Sequence, residues 1–417
     1  MAGAERGPLA GVAVVDLSTT FMGPYSTALL AQWGADVIKL EAPGGDILRY
    51  IGDAKEIGLG PVFLNANRGK RSIALDLKNE KAMPVFDRLV ERADVVVHNL
   101  RPKAARKLGI TSERLLGLNR QLVICAFRGF GAGGPYEDRA AYDDVIQGAS
   151  GLAAVQGGGD GEPAYVKSAL ADKTMGLFGA SAILAALHGR RETGRGRAIE
   201  VPMFESMASF TLLEQQGGLV YDPPLGPSGY ARTASPQRRP CRTEDGYLAV
   251  MVYTDEQWAA FFEAIGRPDL GADPRYRTIR ERTLHSDELY GLVNEELAKR
   301  TSAEWQELLD RAGIATGPVN TLESLFEDEH LRATGFFEAT DHPRAGRVRQ
   351  ARPPVDMGDP APVPLRHAPS LGEHSIEVLR ELGYGEREVR ELIGDGAAVA
   401  DEAAREGDEA AHEGGRP

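Results

Sequence analysis

Residues 11–41, GVAVVDLSTTFMGPYSTALLAQWGADVIKLE, contain two short apolar runs separated by a helix-like segment. The runs GVAVVDL (11–17) and DVIKLE (36–41) have the length and composition of buried strands. The segment between them, GPYSTALLAQWGA, is long enough for a helix that covers one face of a sheet. A strand, a helix and a second strand in this order predict two parallel strands joined by a crossover helix.

The same alternation continues to about residue 130. Further strands are predicted at SIALDL (72–77), DVVVHNL (94–100) and LVICAF (122–127), and a later one at AIEVPMF (198–204). The pattern predicts an α/β fold with a mostly parallel sheet. In such sheets, ligands bind outside the carboxyl ends of the strands. Functional residues are therefore expected near residues 18–23, 41–46, 99–103 and 128–136.

Composition and charge narrow the classes of protein that this chain can be. Its 417 residues suffice for two domains, and its net charge of −13 argues against non-specific binding to nucleic acid. Two cysteines, Cys125 and Cys241, are too few for a disulfide framework or a CxxC metal site. No apolar run approaches the roughly 20 residues that cross a bilayer, and the start lacks the features of a secretory signal. We expect a cytoplasmic protein that binds neither nucleic acid nor membranes.

The stretch GFGAGG (129–134) formally matches the dinucleotide-binding pattern GxGxxG. That pattern should open a helix after the first strand, whereas here it follows the fifth predicted strand and Pro135 comes next. A glycine-rich turn is the favoured interpretation.

Asp172-Lys173-Thr174 and the later Gly394-Asp395-Gly396 resemble motifs of magnesium-dependent aspartyl-phosphate enzymes. The residues that flank both motifs depart from that family, so this hydrolase remains a disfavoured alternative. No HExxH or GxSxG sequence occurs, and we predict no metal site. Because Asp172 precedes the helix-like run TMGLFGASAILAALHG (174–189), it is expected to cap that helix, whose N–H groups would keep it ionised and could hold an oxyanion.

Several segments, in order, resemble the class III coenzyme A transferases (CaiB/BaiF-like), which include formyl-CoA transferases and α-methylacyl-CoA racemases. Two of these are ADVVVHNLRPKAARKLGI (93–110) and ALADKTMGLFGASAILAALHG (169–189). The other matching segments are residues 9–46, 67–78, 128–152, 190–207, 245–270, 312–322 and 371–384.

The resemblance implies a fold and an assembly. A large Rossmann-like domain is expected from both chain ends, residues 1–205 and 326–395, with a linker at 206–225 and a smaller α/β domain at 226–325. Two chains are expected to form a homodimer of interlocked rings. Residues 396–417 are expected to be a disordered acidic tail.

The resemblance also implies a reaction in which Asp172 is the catalytic nucleophile. Its carboxylate would attack the thioester of an acyl-CoA donor, form a mixed anhydride and then an aspartyl-CoA thioester, and pass CoA to a carboxylic acid. No tightly bound cofactor is expected, because CoA is itself a substrate. An acyl-CoA racemase is the alternative within the family. It is disfavoured because Tyr142 stands where that branch has a histidine, and tyrosine is a poor base at pH 7.

Binding residues follow from the same resemblance. Tyr142 and Asp143 match the entrance of the active site, and Gly23 the region around the thioester. Lys70 and Arg71 are either phosphate contacts or a solvated basic turn. Substrate choice is expected to depend on GPSGYARTASPQRRP (226–240), whose arginines either bind a dicarboxylate or fix the loop. The adenine is expected near Asn99, Leu100 and Arg101, and the phosphates near Lys107.

Overall fold

The structure is a computed structural model that describes residues 7–158, 161–358 and 363–401. The chain divides into two compact units. The first unit contains Met1–Ser150, Val166–Met207 and Phe336–Pro417, and the second contains Gly151–Tyr165 and Ala208–Gly335. The second unit is therefore longer at both ends than the interval 226–325 predicted from the sequence, and it takes in most of the predicted linker.

The strands and helices of the described residues are as follows. The strands are β1 (Ala13–Asp16), β2 (Asp36–Glu41), β3 (Arg71–Leu75), β4 (Val95–His98), β5 (Val123–Arg128), β6 (Arg197–Pro202), β7 (Cys241–Arg242), β8 (Tyr247–Met251), β9 (Ala315–Pro318), β10 (Phe337–His342), β11 (Gly346–Ala351) and β12 (Ala398–Val399). The helices are α1 (Met22–Gln32), α2 (Pro61–Asn67), α3 (Met83–Arg92), α4 (Pro102–Lys107), α5 (Ser112–Leu118), α6 (Asp143–Ala149), α7 (Leu152–Gln156), α8 (Leu170–Thr193), α9 (Met203–Gln215), α10 (Ala231–Ala234), α11 (Asp255–Ala264), α12 (Ile279–Leu284), α13 (Ser286–Leu297), α14 (Ser302–Arg311), α15 (Glu329–Ala333), α16 (Ser375–Glu381) and α17 (Glu386–Gly394).

The first unit is built on a seven-stranded sheet with the order β12-β3-β2-β1-β4-β5-β6. All neighbouring strands are parallel except β12, which runs antiparallel to β3. The runs predicted as strands from 11 to 127 each overlap one observed strand, and the large, mostly parallel sheet is confirmed. From β1 the chain moves outward to β2 and β3, then returns to β4 and moves the other way to β6. The direction reverses between β1 and β4, so their carboxyl ends leave a crevice of the kind in which ligands bind.

The two ends of the chain share one apolar core in the first unit. Helices α3 and α5 cover the sheet together with α16 and α17, which come from the last part of the chain. Buried residues of this core include Ile73, Phe86, Leu115, Leu379 and Leu392.

The sheet also extends beyond the end of the large domain that the sequence predicts. Ala398 pairs with Leu75 and Val399 with Ala74, so ordered structure enters the interval assigned to an acidic tail. Residues 402–417 of that interval lie outside the described residues.

Helix α8 packs along α1 in the first unit, and two glycines allow the close approach. A Cβ atom at Gly176 would lie 2.6 Å from Tyr25 Cδ1, and one at Gly179 would lie 2.2 Å from Phe127 Cζ. By length and composition α8 could also cross a membrane, which the sequence analysis did not anticipate, although 56% of its apolar window is buried. Core helices of soluble proteins pass the same test, so this is weak evidence for a membrane span.

The second unit has its own sheet and core. Strands β7, β8 and β9 form an antiparallel sheet, and helices α11, α13 and α14 pack with it around Trp258, Phe261 and Trp305. Thr254 and Thr301 begin α11 and α14 with capping boxes, in which the threonine side chain accepts from a backbone N–H and a glutamine or glutamate returns the contact.

Candidate active site

A cavity of about 540 Å³ lies in the first unit at the carboxyl ends of β1, β4 and β5. Its walls come from the loops that follow these strands and from the first residues of α6 and α8. This is the crevice that the reversal of strand order creates. The residues of the cavity wall discussed below are Thr19, Thr20, Asn99, Leu100, Arg101, Arg128, Arg139, Tyr142, Asp143, Asp144 and Asp172.

Asp172 lies in the first turn of α8. The sequence predicts that its side chain caps this helix, but it does not. The cap position is held by Ala169, which offers no side-chain hydrogen bond. Asp143 takes that role from another helix, because its Oδ1 atom accepts a hydrogen bond from the backbone N–H of Asp172 at 2.9 Å. The carboxyl group of Asp172 is therefore left to face the cavity.

The environment of Asp172 favours its protonated form. Burial, with a smaller contribution from the negative charge of Asp143, raises the pKa of Asp172 from 3.8 to about 7. The sequence-based expectation that the N–H groups of this helix keep Asp172 ionised is therefore wrong. A carboxylate that has lost much of its water is a stronger nucleophile once it ionises, and a pKa near 7 leaves a substantial fraction ionised at neutral pH.

Gln147 fixes α6 to the segment that leads into α8. Its side chain is fully buried, and Nε2 donates to Asp143 Oδ2 at 2.5 Å and to the Ser168 carbonyl at 3.3 Å. Its Oε1 atom accepts from the backbone N–H of Val166 at 2.9 Å. One side chain thus holds both Asp143 and the backbone that positions Asp172.

The loop after β1 is held in an uncommon conformation at the cavity wall. Thr20 has a φ of 67°, a left-handed conformation that threonine rarely adopts, and its N–H donates to Asp46 at 3.2 Å. Asn99 fixes Thr19, the residue before Thr20. Its Nδ2 donates to the Thr19 carbonyl at 2.9 Å, and its Oδ1 accepts from Thr19 N at 3.1 Å. Both ends of the Asn99 amide are thus occupied by the protein, although the sequence assigned this amide to adenine.

A fully buried ionic network supports this loop from below. Lys70 Nζ donates to Asp16 Oδ2 at 3.1 Å, and Lys39 Nζ donates to Asp46 Oδ2 at 3.0 Å. Burial alone raises the pKa of Asp16, but Lys70, Lys39 and hydrogen bonds from nearby hydroxyl groups keep it below its ordinary value. Burial lowers the pKa of Lys70 to about 8. These groups face one another and not solvent, so they are structural.

Neither interpretation of Lys70 and Arg71 from the sequence is correct. Lys70 is completely buried, and Arg71 is 6% exposed. Arg71 lies between three carboxylates, with nitrogen–oxygen distances of 2.5 Å to Asp36, 3.0 Å to Glu377 and 2.8 Å to Glu381. The basic pair is therefore neither a solvated turn nor a set of cations open to phosphate.

Two residues assigned to substrate binding lie away from the cavity wall. Gly23 is buried in the first turn of α1, and a Cβ atom there would come within 2.1 Å of Ser18 Oγ. Its small size therefore serves packing against Ser18. Lys107 ends α4 and is exposed, but it does not line the cavity. Among the other assigned residues, Tyr142, Asp143, Asn99, Leu100 and Arg101 do line it.

Two arginines that the sequence analysis did not single out also line the cavity. Arg128 ends β5, and its Nε lies 2.5 Å from Glu200 Oε2. The guanidinium of Arg139 lies 3.9 Å from the centre of the Tyr136 ring and has no carboxylate within 4 Å among the described residues. Because ligand groups follow strand ends, the sequence indicated residues 128–136 as a functional region. No motif singled out Arg128 in that region or Arg139 just after it.

The glycine-rich turn at 129–134 opens no helix, which agrees with its interpretation as a turn. Three of its backbone N–H groups donate to glutamates and are therefore not open to a pyrophosphate. These contacts are Gly131 to Glu205 at 2.9 Å, Ala132 to Glu200 at 2.8 Å and Gly133 to Glu137 at 3.1 Å.

The aspartyl-phosphate hypothesis also lacks its geometry. Asp172 lies within a helix and not at the end of a strand, and Asp395 pairs with Lys81. Within the parts of the chain that the structure describes, no group of three or more His, Cys, Asp or Glu could hold a metal ion.

Comparisons with known proteins identify the family. Residues 9–375 match CoA-transferase family III. The succinate–glutarate CoA-transferase of Agrobacterium fabrum is 33% identical over 393 residues, which cover 92% of this chain and 98% of that protein. A formyl-CoA:oxalate CoA-transferase of Rhodopseudomonas palustris is 32% identical over 414 residues, covering 93% and 96%.

A solved structure has the same fold. The crystal structure of a CaiB/BaiF family protein from Brucella suis is 32% identical, covers 91% of this chain and 100% of that chain, and superposes with a TM-score of 0.75. With the family match over most of the chain and the relatives above, this shows that the chain belongs to CoA-transferase family III.

Proposed function

We propose that this family III CoA-transferase moves CoA from an acyl-CoA donor to a carboxylic acid through covalent intermediates on Asp172. The observation that supports the proposal is the placement of the Asp172 carboxyl group. It faces a cavity of about 540 Å³ at the carboxyl edge of the sheet, while Asp143 takes over the contact to its backbone N–H.

The first half of the reaction releases the donor acid. The Asp172 carboxylate attacks the thioester carbonyl carbon, a C–O bond forms, the C–S bond breaks and CoA leaves as the thiolate. The thiolate then attacks Cγ of Asp172, which forms an aspartyl-CoA thioester and expels the donor acid as its carboxylate.

The second half runs the same chemistry in reverse. The acceptor carboxylate attacks Cγ of the aspartyl-CoA thioester, which forms a new mixed anhydride and releases the CoA thiolate. The thiolate then attacks the acceptor's carbonyl carbon, which yields the new acyl-CoA and restores the Asp172 carboxylate. Each step exchanges one acyl bond for another, so the sequence requires no net proton transfer and no oxidant.

The cavity wall suggests how the substrates are held. Leu100 and Arg101 offer an apolar surface and a guanidinium plane to the adenine, while Asn99 acts indirectly by fixing Thr19. Arg139, which stacks on Tyr136, supplies a cation for the carboxylate that enters or leaves. We further propose that the enzyme is a homodimer of interlocked chains.

The direct test is mass spectrometry of the intact protein during turnover. With an acyl-CoA donor alone, the wild-type protein should gain the mass of CoA less one water at Asp172, and hydroxylamine should trap the acylated side chain. Asp172→Ala and Asp172→Asn should show neither adduct and should lose transfer by at least about 10³-fold.

The matched control is Glu192→Gln, which changes an exposed acid at the other end of the same helix and should retain full activity. Transfer at a wild-type rate by either Asp172 variant would refute the covalent mechanism.

A further inference from the structure

The second unit contains a cavity whose walls share no residue with those of the Asp172 cavity. It encloses about 520 Å³, within the range of small-molecule sites. The loop at 237–240, the sheet residues 249–252 and helices α11 and α13 form its walls. Three arginines, Arg232, Arg238 and Arg239, face this one cavity in a protein whose net charge is −13.

Arg232 is held in place without a counter-ion. Its guanidinium lies 5.6 Å from the centre of the Tyr230 ring and 5.7 Å from that of Tyr253, and Nη1 lies 3.3 Å from Met251 Sδ. Its Nε atom is buried and has no hydrogen-bond partner among the described residues. A buried cationic N–H without an acceptor is costly, so this geometry suits a site that an anion completes.

The other two arginines also lack a carboxylate partner. Arg238 and Arg239 are exposed, and within the described residues no carboxylate lies within 4 Å of them or of Arg232. Their loop is nevertheless anchored, because Asn294 Nδ2 on α13 donates to the Gln237 carbonyl at 2.9 Å. This contact, and a second one from Asn294 Nδ2 to Gln237 Oε1 at 3.3 Å, leave the guanidinium groups of the loop available.

The rest of the cavity is apolar. Val250, Val293 and Trp258 line it, and Trp258 is 5% exposed. A ligand that suits both surfaces has a short hydrocarbon body and negatively charged oxygens, which guanidinium groups can bind in pairs.

We infer that this cavity of the second unit binds a short-chain dicarboxylic acid, with one carboxylate on Arg232 and the other facing Arg238 and Arg239. The assignment of an acid rests on the proposed function, which requires a carboxylic acid as a substrate. The existence of a binding site is argued only from the residues of the second unit.

The test is calorimetric titration of the full-length protein with succinate. The wild-type protein should bind one succinate per chain at this site. Arg232→Gln should weaken that binding by at least about 10-fold, and the double variant Arg238→Gln/Arg239→Gln by several-fold. Because Arg238 and Arg239 are exposed, the double variant should fold normally even if Arg232→Gln does not.

The control is Arg311→Gln, which removes an exposed arginine paired with Glu307 and should leave succinate binding unchanged. Asp172→Asn should also bind succinate normally, so a failure of the covalent mechanism remains distinguishable from a failure of this site. Butyrate, which has one carboxylate, should bind much more weakly.

Three results would overturn the inference. One is that the wild-type protein does not bind succinate, or that the arginine variants bind it as tightly as the wild type. A second is competition by inorganic phosphate or CoA at least as strong as that of a dicarboxylate, which would assign the site to phosphate. The third is a change of oligomeric state in Arg232→Gln, which would mean that a carboxylate of a second copy pairs with Arg232.

Discussion

Asp143 begins α6 and Asp172 lies in the first turn of α8, and the two neighbouring carboxyl groups differ in what surrounds them. Asp143 accepts hydrogen bonds from the Asp172 backbone and from Gln147, whereas Asp172 is buried beside that negative charge. A difference of this kind separates the roles of two acids, one structural and one reactive.

The pH dependence of donor acylation should follow the ionisation of Asp172. Because only the carboxylate attacks in the proposed mechanism, kcat/KM for the acyl-CoA should rise with pH to a plateau, with a midpoint near the Asp172 pKa of about 7. Asp143→Asn keeps an oxygen that can accept from the Asp172 N–H but removes the negative charge. It should move the midpoint down by about 0.5 to 1 pH unit, since burial is the larger cause of the raised pKa.

The neighbouring acid gives a control for this pH profile. Asp144→Asn removes an exposed carboxylate that also lines the cavity but is not among the causes of the raised pKa. Its midpoint should match that of the wild-type protein. Equal shifts in both variants would mean that Asp143 has no special effect on Asp172.

The same ionisation should affect stability. In the unfolded chain Asp172 ionises near pH 3.8, whereas the folded protein keeps the proton to about pH 7. The folded state therefore loses stability as the pH rises from about 4 to 7, and the full cost is present above pH 7. Asparagine is neutral throughout, so Asp172→Asn should raise Tm by about 2 °C or more at pH 8 and by less at pH 5. A Tm difference that does not grow with pH would contradict this argument, and Glu192→Gln should show no difference.

At the scale of elements, the site depends on how α6 is joined to the start of α8. Gln147 makes that connection through the Asp143 carboxylate, the Val166 N–H and the Ser168 carbonyl. Gln147→Leu has a similar volume but leaves the Val166 N–H without its acceptor and removes one hydrogen bond each from the Asp143 carboxylate and the Ser168 carbonyl. We expect kcat to fall by about 10-fold or more, and the pH midpoint to shift because Asp143 is no longer held.

The pH midpoint distinguishes positioning from general destabilisation. Gln215→Leu changes another buried glutamine, which contacts Thr233 in the second unit, and should lower Tm without moving the midpoint. An unchanged midpoint in Gln147→Leu would show that the connection between α6 and α8 is only structural.

Elements with strong local patterns were predictable from the sequence, and those that depend on distant contacts were not. The runs at 11–17 and 36–41 are apolar enough to identify buried strands. Strands β10 and β11 lie in a polar, proline-rich stretch and form by pairing with each other, so the hairpin was not recognised. The acidic cap from Asp143 was missed for the same reason, because it is separated by 29 residues from the N–H that it binds.

Charge was the least predictable property. Lys39 and Lys70 occur in segments that look amphipathic, yet both are fully buried because Asp46 and Asp16 meet them from other parts of the chain. A basic side chain next to a strand can therefore either be solvated or form a buried ion pair. Only the three-dimensional position of a carboxylate decides between them.

At the scale of the whole molecule, apolar residues between 210 and 225 are exposed in the isolated chain. Leu213 is 88% exposed, and the others are Phe210, Leu212, Leu219, Val220, Tyr221 and Leu225. So many large apolar side chains in one short segment are the kind of surface that the proposed homodimer would cover. A homodimer would bury them, and obligate dimer interfaces are apolar in this way.

Sedimentation at micromolar concentration tests the dimer. The wild-type protein should sediment as a species of twice the 44.9 kDa mass of one chain. Leu213→Glu places a charge in the apolar segment and should shift the protein towards monomer or reduce its yield as soluble dimer, because burying that charge would be costly. Leu284→Glu alters a residue on α12 that is 74% exposed and should remain dimeric with wild-type activity. A wild-type protein that is monomeric at these concentrations would leave the exposed segment without a partner copy and would refute the interlocked assembly.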